Sequence, residues 1–408
     1  MSTDRRPIIV QKYGGSSVAD VEKLGRVADR VVAAHQAGHD VVVVVSAMGK
    51  TTDGLLALAR SAAHTGAGDA EPARRELDML LTTGERVSMS LLSIAIQARG
   101  LPAISFTGSQ SGILTNDRHF DARIIEVRPH RIEDELARGR IVIVAGYQGM
   151  SYRKEITTLG RGGSDTTAVA LAAALGAERC EIYSDVDGVY SADPRAVPDA
   201  RHLPELSHEM LQEMAEHGAK VVCAQAVEWA RRQGIAIYAR STFDPPGHGK
   251  ETVIRRFAPE QRTGARAVVC GARMVAVHAP AHRPEAIDDL VALLERLGLP
   301  FEDLVSDTTG ASFVVPLVNV PAPEGALAAL RQAGLVVDEE VSTVSVVGDG
   351  FAATGEPMRR FARAVREAGA QPQRLVAGPL RLAAVIPAAR AAEVQRALHA
   401  AFVAPPSA

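Results

Sequence analysis

The strongest constraint on the fold lies near the N-terminus, where an apolar run, a double glycine and a helical pattern follow one another. Residues 8–10 (Ile-Ile-Val) have the composition of a buried strand, and the double glycine is Gly14-Gly15. Apolar residues then recur mostly at helical spacing, at Val21, Leu24, Val27, Val31 and Val32. Such a strand, turn and helix can cradle a phosphate, because backbone N–H groups approach the anion at a helix N-terminus. Lys12 would add a point charge, although many such turns bind nothing.

Composition indicates a globular protein of more than one domain. The 408 residues suit two or three domains, and 47% of them are hydrophobic and 23% charged. A formal net charge of −3 argues against a nucleic-acid binder. Cys180, Cys223 and Cys270 lack metal-ligand spacing, and their odd number argues against a complete disulfide framework. The N-terminus is polar and no apolar run approaches the roughly 20 residues of a membrane helix, so we expect a cytoplasmic protein.

Strand-like runs alternate with helical patterns through the first part of the chain. Residues 41–45 and 141–145 are short, continuous apolar runs, typical of parallel strands that helices cover on both faces. Residues 168–175 form an alanine-rich helical pattern, and further strands are predicted at 180–183 and 235–238. This alternation predicts an α/β domain with a mainly parallel sheet sandwiched by helices.

The pattern changes beyond residue 243. Residues 244–250 are turn-rich, and residues 255–266 are polar and irregular. Two similar β-α-β-β-α patterns follow, which predict two ferredoxin-like units. We therefore expect a catalytic domain at 1–245, a linker at 246–266, and two smaller domains at 267–340 and 341–403.

Gly49-Lys50-Thr51 resembles the end of a Walker A loop only superficially. That motif requires a glycine five positions before its final Gly-Lys, and Val44 occupies this position inside a predicted strand. Without that glycine the loop cannot wrap around phosphates, which argues against a P-loop nucleotidase.

Residues 157–167 carry the most specific pattern, a glycine-rich turn with one arginine and one aspartate before the alanine-rich helix. Arg161 suits two-pronged capture of a carboxylate, and Asp165 can accept from an ammonium group or orient a lysine. Backbone donors could reach a bound anion at Gly162, Gly163 and Ser164. The alternative is an ordinary helix cap, which would explain the serine or the aspartate but not the double glycine with arginine.

Three other polar positions are ambiguous by themselves. Residues 184–195 form an acidic, turn-rich loop that lacks the spacing of a calcium-binding EF-hand, so a plain turn is the simplest interpretation. Residues 83–86 (Thr-Gly-Glu-Arg) are taken to precede a helix, where Glu85 could simply complement the helix dipole. Lys220 by itself would ordinarily be a solvated lysine.

Taken together, residues 12–17, 157–167 and 184–190 closely resemble motifs of the aspartate kinases of the amino-acid kinase superfamily. The resemblance implies the amino-acid kinase fold followed by two ferredoxin-like ACT domains. It implies transfer of the γ-phosphoryl group of ATP to the side-chain carboxylate of L-aspartate, giving L-4-aspartyl phosphate on the route to lysine, threonine and methionine. Mg²⁺ would arrive with ATP rather than in a protein metal site, and a homodimer or higher homo-oligomer would form through the ACT domains.

The same resemblance implies roles for individual residues. Phosphoryl transfer would depend on Lys12, Asp165 and Lys220. ATP would be bound by Lys12, Tyr13, Gly14, Gly15, Ser46, Ser184, Asp185, Tyr190, Ser191, Ala192, Asp193, Pro194, Arg195 and Lys220. L-Aspartate would be bound by Thr51, Thr52, Glu85, Arg161, Gly162, Gly163 and Ser164, with Glu85 on its ammonium and Arg161 on its carboxylate.

The chain departs from the family pattern mainly in its C-terminal part. The turns that hold amino-acid effectors in the family are altered at residues 279–284, 349–355 and 376–380. The positions that would hold an effector's charged ends carry Ala279, Pro280, Ala281, Ala352, Ala353 and Gly378. These residues cannot pair an effector's charges, so weak feedback inhibition is expected. Two alternatives stay open: a kinase for another small acidic amino acid, favoured by Lys50 where the family has an acidic residue, and a non-catalytic ACT-type sensor.

Overall fold

The computed structural model describes residues 6–64, 72–219, 221–245, 249–256, 264–271, 273–280, 287–318, 320 and 323–403. The chain forms two compact units. The first comprises Met1–Val189, Leu203–Gln212 and Lys220–Phe257, and the second comprises Tyr190–His202, Glu213–Ala219 and Ala258–Ala408. The domain boundaries expected from sequence, at 245, 266 and 340, stay predictions.

The N-terminal part alternates strands and helices. In chain order the elements are β1 (Ile8–Tyr13), α1 (Val21–Gln36), β2 (Asp40–Val45), α2 (Thr51–Ala63), α3 (Arg74–Gln97), β3 (Ala103–Phe106), β4 (Ile113–Thr115), β5 (Ile124–Val127), α4 (His130–Ala137), β6 (Ile141–Ala145), β7 (Gln148–Ser151), β8 (Ile156–Thr158), α5 (Gly163–Ala174), β9 (Arg179–Ser184), β10 (Val189–Tyr190), β11 (His202–Leu203), β12 (Glu205–Leu206), α6 (His208–Glu216), α7 (Ala224–Gln233), β13 (Ile237–Ser241) and β14 (Glu251–Ile254).

The main sheet has eight strands in the order β12-β14-β13-β9-β1-β2-β6-β3. From β13 to β3 every neighbouring pair is parallel, and only the β13–β14 pair is antiparallel. One face packs on α1 and α3, and α5 packs against β1, β2 and β9. Strands covered on both faces must be apolar throughout, which is why β6 is fully buried and why the continuous runs in the sequence predicted this sheet correctly.

A second, four-stranded sheet lies in the same unit, in the order β5-β4-β7-β8. Thr157 in the middle of β8 and Thr115 at the end of β4 share a buried hydrogen bond of 2.6 Å between their hydroxyl groups. This small sheet brings Thr158, the last residue of β8, to the turn that begins α5.

The C-terminal part forms a seven-stranded antiparallel sheet with helices. Its elements are β15 (Gly264–Cys270), β16 (Met274–Pro280), α8 (Ile287–Leu297), β17 (Glu302–Asp307), β18 (Gly310–Pro316), α9 (Pro323–Gln332), β19 (Val336–Asp349), α10 (Glu356–Glu367), β20 (Arg374–Ala377), β21 (Arg381–Pro387) and α11 (Ala391–Phe402). The strand order is β17-β18-β16-β19-β21-β20, and β15 also pairs with β19.

The two predicted ferredoxin-like repeats are joined by one long strand. The first part of β19 pairs with β16, and the part from Val341 onward pairs with β21 and β15. Each repeat keeps its own apolar core, one around Leu294 and Phe313 and the other around Phe361 and Leu398. The repeat pattern therefore predicted the two cores, whereas the continuous sheet depends on pairing across the repeats.

Two strands occupy the segment expected to be a linker. β14 adds to the main sheet, with Thr252 and Ile254 fully buried, and β15 begins at Gly264. Their short, mixed sequences carry little local preference, so pairing with β13 and β19 determines their structure. The helix α5 also begins earlier than its alanine-rich pattern, at Gly163 rather than residue 168.

The helix α3 (Arg74–Gln97) is both long and apolar. Its 24 residues are long and apolar enough to cross a membrane by length and composition, but 50% of the apolar window is buried inside the fold. The buried face also contains the carboxyl groups of Asp78 and Glu85. Because half of its apolar window is buried, α3 is interpreted as a core helix of the first unit.

Candidate active site

A buried ion pair stands at the carboxyl end of β1. The Lys12 ammonium lies 2.7 Å from Asp165 Oδ1, and the two side chains are only 12% and 8% exposed. Asp165 is in the first turn of α5, and its Oδ2 accepts a hydrogen bond of 3.2 Å from the Cys223 N–H, just before α7. One carboxylate therefore connects β1, α5 and α7.

The double glycine forms a tight turn beside this ion pair. The Gly14 N–H donates to Tyr183 O, and the Gly49 N–H donates to Gly15 O. A Cβ at Gly15 would lie 2.8 Å from Ala47 O, so no larger residue fits. The first of these bonds ties the turn to β9, and the second ties it to the loop after β2.

Tyr13 contributes only its backbone to this turn. Its ring is fully buried and stacks on Tyr183 at a centroid distance of 4.8 Å. The predicted contact with a nucleotide thus rests on main-chain atoms, because the ring belongs to the core.

The loop after β2 brings hydroxyl groups to the same edge of the sheet. Ser46 N–H donates to Tyr13 O at 3.1 Å, and Ser46 O accepts from the Ser88 hydroxyl at 2.7 Å. The Thr51 hydroxyl caps its own turn by donating to Met48 O, and Thr52 follows in α2. Lys50 is exposed next to them.

The position of Glu85 differs from the prediction. It lies in the middle of α3 rather than before a helix, so the first-turn interpretation is wrong. The α3 helix starts at Arg74, and Gly84 lets it approach Ala47, because a Cβ at Gly84 would lie 2.8 Å from Ala47 Cβ. A glycine inside a helix looks like a boundary in sequence, which explains the error.

The Glu85 carboxyl group is buried, and only one of its two oxygens has a hydrogen-bond partner in the described part of the chain. Oε1 accepts a hydrogen bond of 3.1 Å from the Ala47 N–H, and Oε2 has no partner in the described part of the chain. Burial raises its pKa to about 7, and the backbone hydrogen bonds oppose this shift. Such a group is suited to receive an ammonium group, which would restore its ionised form.

The turn before α5 presents Arg161 to solvent. Gly160 and Gly162 have positive φ angles of 72° and 76°, and a Cβ at Gly162 would lie 2.3 Å from Cys223 Cβ. The Gly163 N–H donates to Gly160 O, so this amide closes the turn. Ser164 is buried, whereas Arg161 is exposed and forms no ion pair with any residue that the structure describes. An unpaired guanidinium in this position can accept an anion.

Sequence analysis passed over Tyr147, which joins this group. It follows β6 with a positive φ of 69°, and its N–H donates to the Thr167 hydroxyl. Burial raises the pKa of its phenol above the usual range, and the charge of Glu85 acts in the same direction. The available signal was its place after a buried parallel strand, where ligand-binding loops gather.

The residues expected along a nucleotide fall into both units. Ser184 ends β9, and Asp185 is exposed after it, in the first unit. In the second unit Ser191 and Ala192 are buried, and Asp193 pairs with Arg195 at the surface. Tyr190 and Pro194 belong to the same stretch.

Ser191 is fully engaged within the second unit. Its hydroxyl lies 2.8 Å from His399 Nε2 and accepts from the Arg201 N–H, and its carbonyl accepts from the Val268 N–H. Ser191 therefore has an internal structural role. The predicted lysine, Lys220, lies outside the described residues.

One cluster of potential metal ligands lies in the second unit, formed by Glu213, Glu216 and His217. Arg381 Nε lies 3.2 Å from Glu213 Oε1, and its NH1 lies 3.2 Å from His217 Nδ1. A guanidinium already neutralises this cluster, which disfavours a metal ion there.

Glu85→Gln should change how stability depends on pH. With a pKa near 4.5 unfolded and about 7 folded, Glu85 binds its proton more tightly in the folded state. Stability is therefore lost as pH rises from about 4.5 to about 7 and stays lost above, by about 3 kcal/mol. The neutral glutamine avoids this loss, so we expect a higher thermal midpoint for the variant at pH 8 and little difference at pH 5.

The matched control is Glu76→Gln on the same helix, where the carboxyl group is exposed. Calorimetric scans of all three proteins from pH 5 to pH 8 provide the comparison. Parallel curves for wild type and Glu85→Gln would contradict the burial argument.

Known proteins resemble the chain in sequence and in fold. The amino acid kinase family matches residues 7–241. The aspartokinase of Mycolicibacterium smegmatis is 42% identical over 410 residues, covering 97% of this chain and 96% of that protein. The aspartokinase of Thermus thermophilus is 39% identical over 408 residues, covering 97% and 98%.

Solved structures agree with these relatives. The aspartate kinase of Synechocystis is 35% identical with a TM-score of 0.53, covering 98% of this chain and 71% of that one. Aspartokinase III of E. coli, in complex with aspartate and ADP, has the same fold with a TM-score of 0.84 at 24% identity, covering 97% and 99%. The chain belongs to the amino acid kinase family, among its aspartokinases.

Proposed function

We propose that the protein is an ATP-dependent aspartate kinase that transfers the γ-phosphoryl group of ATP to the side-chain carboxylate of L-aspartate. The observation that carries the proposal is the buried Lys12–Asp165 pair beside the Gly14-Gly15 turn. The product would be L-4-aspartyl phosphate, which begins the route to lysine, threonine and methionine. Relatives about 40% identical over nearly the whole chain bear the name aspartokinase, which supports the same assignment.

The reaction requires little acid–base catalysis from the protein. The acceptor carboxylate has a pKa of about 4 and is already ionised, so no general base is required. Positioning and charge stabilisation at the transferred group are required instead. Lys12 supplies that charge, and Asp165 holds the ammonium in one place.

The amino-acid substrate has one ammonium and two carboxylates to satisfy. Glu85, whose Oε2 is buried and unpaired among the described residues, would receive the ammonium. Arg161 would bind the α-carboxylate through two parallel hydrogen bonds. The remaining predicted contacts are Thr51, Thr52, Gly162, Gly163 and Ser164.

ATP would bind at the carboxyl ends of β1 and β9. The proposed contacts there are Tyr13, Gly14, Gly15, Ser46, Ser184 and Asp185, although the Gly14 and Ser46 N–H groups already donate to Tyr183 O and Tyr13 O. We extend the proposed nucleotide contacts to Lys220 and to Tyr190, Ser191, Ala192, Asp193, Pro194 and Arg195 on the family pattern alone. For Ser191 the contact would be with backbone atoms or be indirect, because its hydroxyl is engaged.

Mg²⁺ would be bound together with ATP. Both oxygens of Asp165 already have partners, Lys12 and the Cys223 N–H, so this carboxylate is poorly placed to serve as a metal ligand. The chemistry of Mg²⁺ fits this, because the ion commonly keeps its waters and binds substrate phosphates. When bound, it would offset phosphate charge alongside Lys12.

We also propose a cytoplasmic homo-oligomer that associates through the ACT-like sheet. Exposed apolar side chains lie on strands of that sheet, including Val305 and Leu375. Such side chains are commonly covered by another subunit. A net charge of −3 supports the absence of a nucleic-acid partner.

The substrate assignment is tested by coupled ADP release with aspartate, glutamate and N-acetylglutamate. We expect turnover with aspartate at least about tenfold above the other two in kcat/KM, corresponding to about 1.4 kcal/mol of discrimination. A kinase for another small acidic amino acid is the second candidate, because exposed Lys50 precedes Thr51 where the family has an acidic residue. Binding of ATP without aspartate-dependent turnover would refute the proposal.

Lys12→Ala should lower kcat by a factor of about 100 or more, because charge stabilisation at the phosphoryl group is lost. It should also lower the thermal midpoint, because Asp165 would stay buried without its cation. Lys12→Arg, which keeps the charge, should recover stability more fully than activity.

The control is Lys23→Ala on α1, whose ammonium lies 3.7 Å from Asp20 at the surface. Its kinetics and midpoint should match wild type. Near-normal kcat in Lys12→Ala would show that the phosphates bind elsewhere.

Inhibition by lysine and threonine should be weak or absent. Ala279 stands on β16 near the first predicted effector turn, Ala352 and Ala353 stand near the second, and the Gly378 amide is used by Arg381 O. Most of the first turn, residues 281–284, lies outside the described residues. Small apolar side chains leave an effector's charges unpaired, which is costly.

Initial rates measured while each amino acid, and the pair, is titrated to several millimolar test this expectation. Half-maximal inhibition below 1 mM, about 4.1 kcal/mol of effector binding, would show a functional effector pocket.

A further inference from the structure

A second buried carboxylate lies on the same face of α3 as Glu85. Asp78 is seven residues earlier, two helical turns away, and its side chain is completely buried. Aspartate is almost never fully buried unless it is paired. Nothing in the proposed reaction uses this group, so its burial needs a separate explanation.

The carboxylate of Asp78 accepts hydrogen bonds from three donors. The Thr158 hydroxyl donates to Oδ1 at 2.5 Å, and His119 Nδ1 lies 2.6 Å from Oδ2. The Phe120 N–H lies 3.1 Å and 3.2 Å from the two oxygens. The three donors come from two separate segments, so Asp78 fastens both of them to α3.

These segments flank the turn that carries Arg161. Thr158 ends β8 three residues before Arg161, and its carbonyl accepts from the Ala122 N–H at 2.8 Å. A Cβ at Gly160 would lie 2.9 Å from Asp121 Oδ1. The loop after His119 and the turn before α5 are therefore in direct contact, and Asp78 holds both.

The hydrogen bonds of Asp78 form a continuous path. It runs from His119 through Asp78 to Thr158. In such a network, the loss of one member leaves its buried neighbours unsatisfied.

We propose that Asp78 is a positioning residue for the amino-acid substrate, acting through Thr158 and the loop after His119 on the turn that presents Arg161. It does not touch the substrate. The inference rests on the proposed kinase function. Because the ATP residues are held by the Lys12–Asp165 pair instead, loss of Asp78 should affect aspartate far more than ATP.

A carboxylate is the side chain that this position requires. Three N–H or O–H donors converge on it, and a carboxylate only accepts. Asparagine has nearly the same shape but replaces one acceptor with an NH₂ group. The NH₂ group would face Thr158 or His119. One hydrogen bond would then be lost, and two donor groups would face each other.

The experiment compares Asp78→Asn, Thr158→Val and Thr158→Ser in the full-length chain. We expect Asp78→Asn and Thr158→Val to raise the KM for aspartate at least about tenfold while the KM for ATP changes less than about twofold. Thr158→Ser keeps the hydroxyl and should recover most of the loss. In the double variant Asp78→Asn/Thr158→Val the two effects should not add, because both act on one hydrogen bond.

Leu92→Ala provides the stability control. Leu92 is fully buried on α3 in the core against the sheet and takes no part in the network. It should lower the thermal midpoint as much as Asp78→Asn or more, with both KM values unchanged.

The outcomes separate the two proposals. If wild type turns over aspartate but Asp78→Asn behaves like Leu92→Ala, or raises both KM values equally, the positioning role is wrong and the kinase function stands. If wild type prefers glutamate or N-acetylglutamate, the aspartate assignment is wrong, and the same KM comparison with the preferred substrate decides the role of Asp78. If wild type uses none of the three, both proposals are refuted.

Discussion

The candidate site depends on one buried ion pair, Lys12 with Asp165. Removing two charges from water is unfavourable, and such a pair persists only when its geometry is good and its other atoms are satisfied. Here the Lys12 ammonium lies 2.7 Å from one oxygen of Asp165, and the Cys223 N–H donates to the other oxygen. The pair consequently fixes the position of a strand end and two helix beginnings. A side chain free in solvent could not define a phosphate-sized space in this way.

The parallel sheet explains why the remaining residues gather at one edge. The carboxyl ends of β1, β2, β6 and β9 lie side by side, and the chain turns there into loops and helix starts. Gly15, Gly84 and Gly162 permit the close backbone approaches that a side chain would prevent. The charged groups there include the Lys12–Asp165 pair, Glu85 and Arg161.

Much of the first unit was predictable because its signals are local. Continuous apolar runs located β2 and β6, and the glycine turns located Lys12 and Arg161. Glu85 was predicted as a site residue, but its place in the fold was predicted wrongly, since Gly84 suggested a helix boundary where α3 is continuous. Tyr147 and Asp78 were missed because their environment consists of residues far away in the chain. Pairing across the sheet also created β14 and β15 from segments without a strong preference.

The hydrogen bonds of Ser191 limit where the chain can be truncated or recombined. This residue precedes α6 and α7 in the chain, yet its carbonyl and hydroxyl are satisfied by Val268 and His399. A gene fragment ending after β13 would lack both partners and would leave buried polar atoms without compensation. Recombination between homologous genes at that point would likewise join a Ser191 segment to a foreign α11. Chimeras therefore need crossover points that keep Ser191 with its own C-terminal helix.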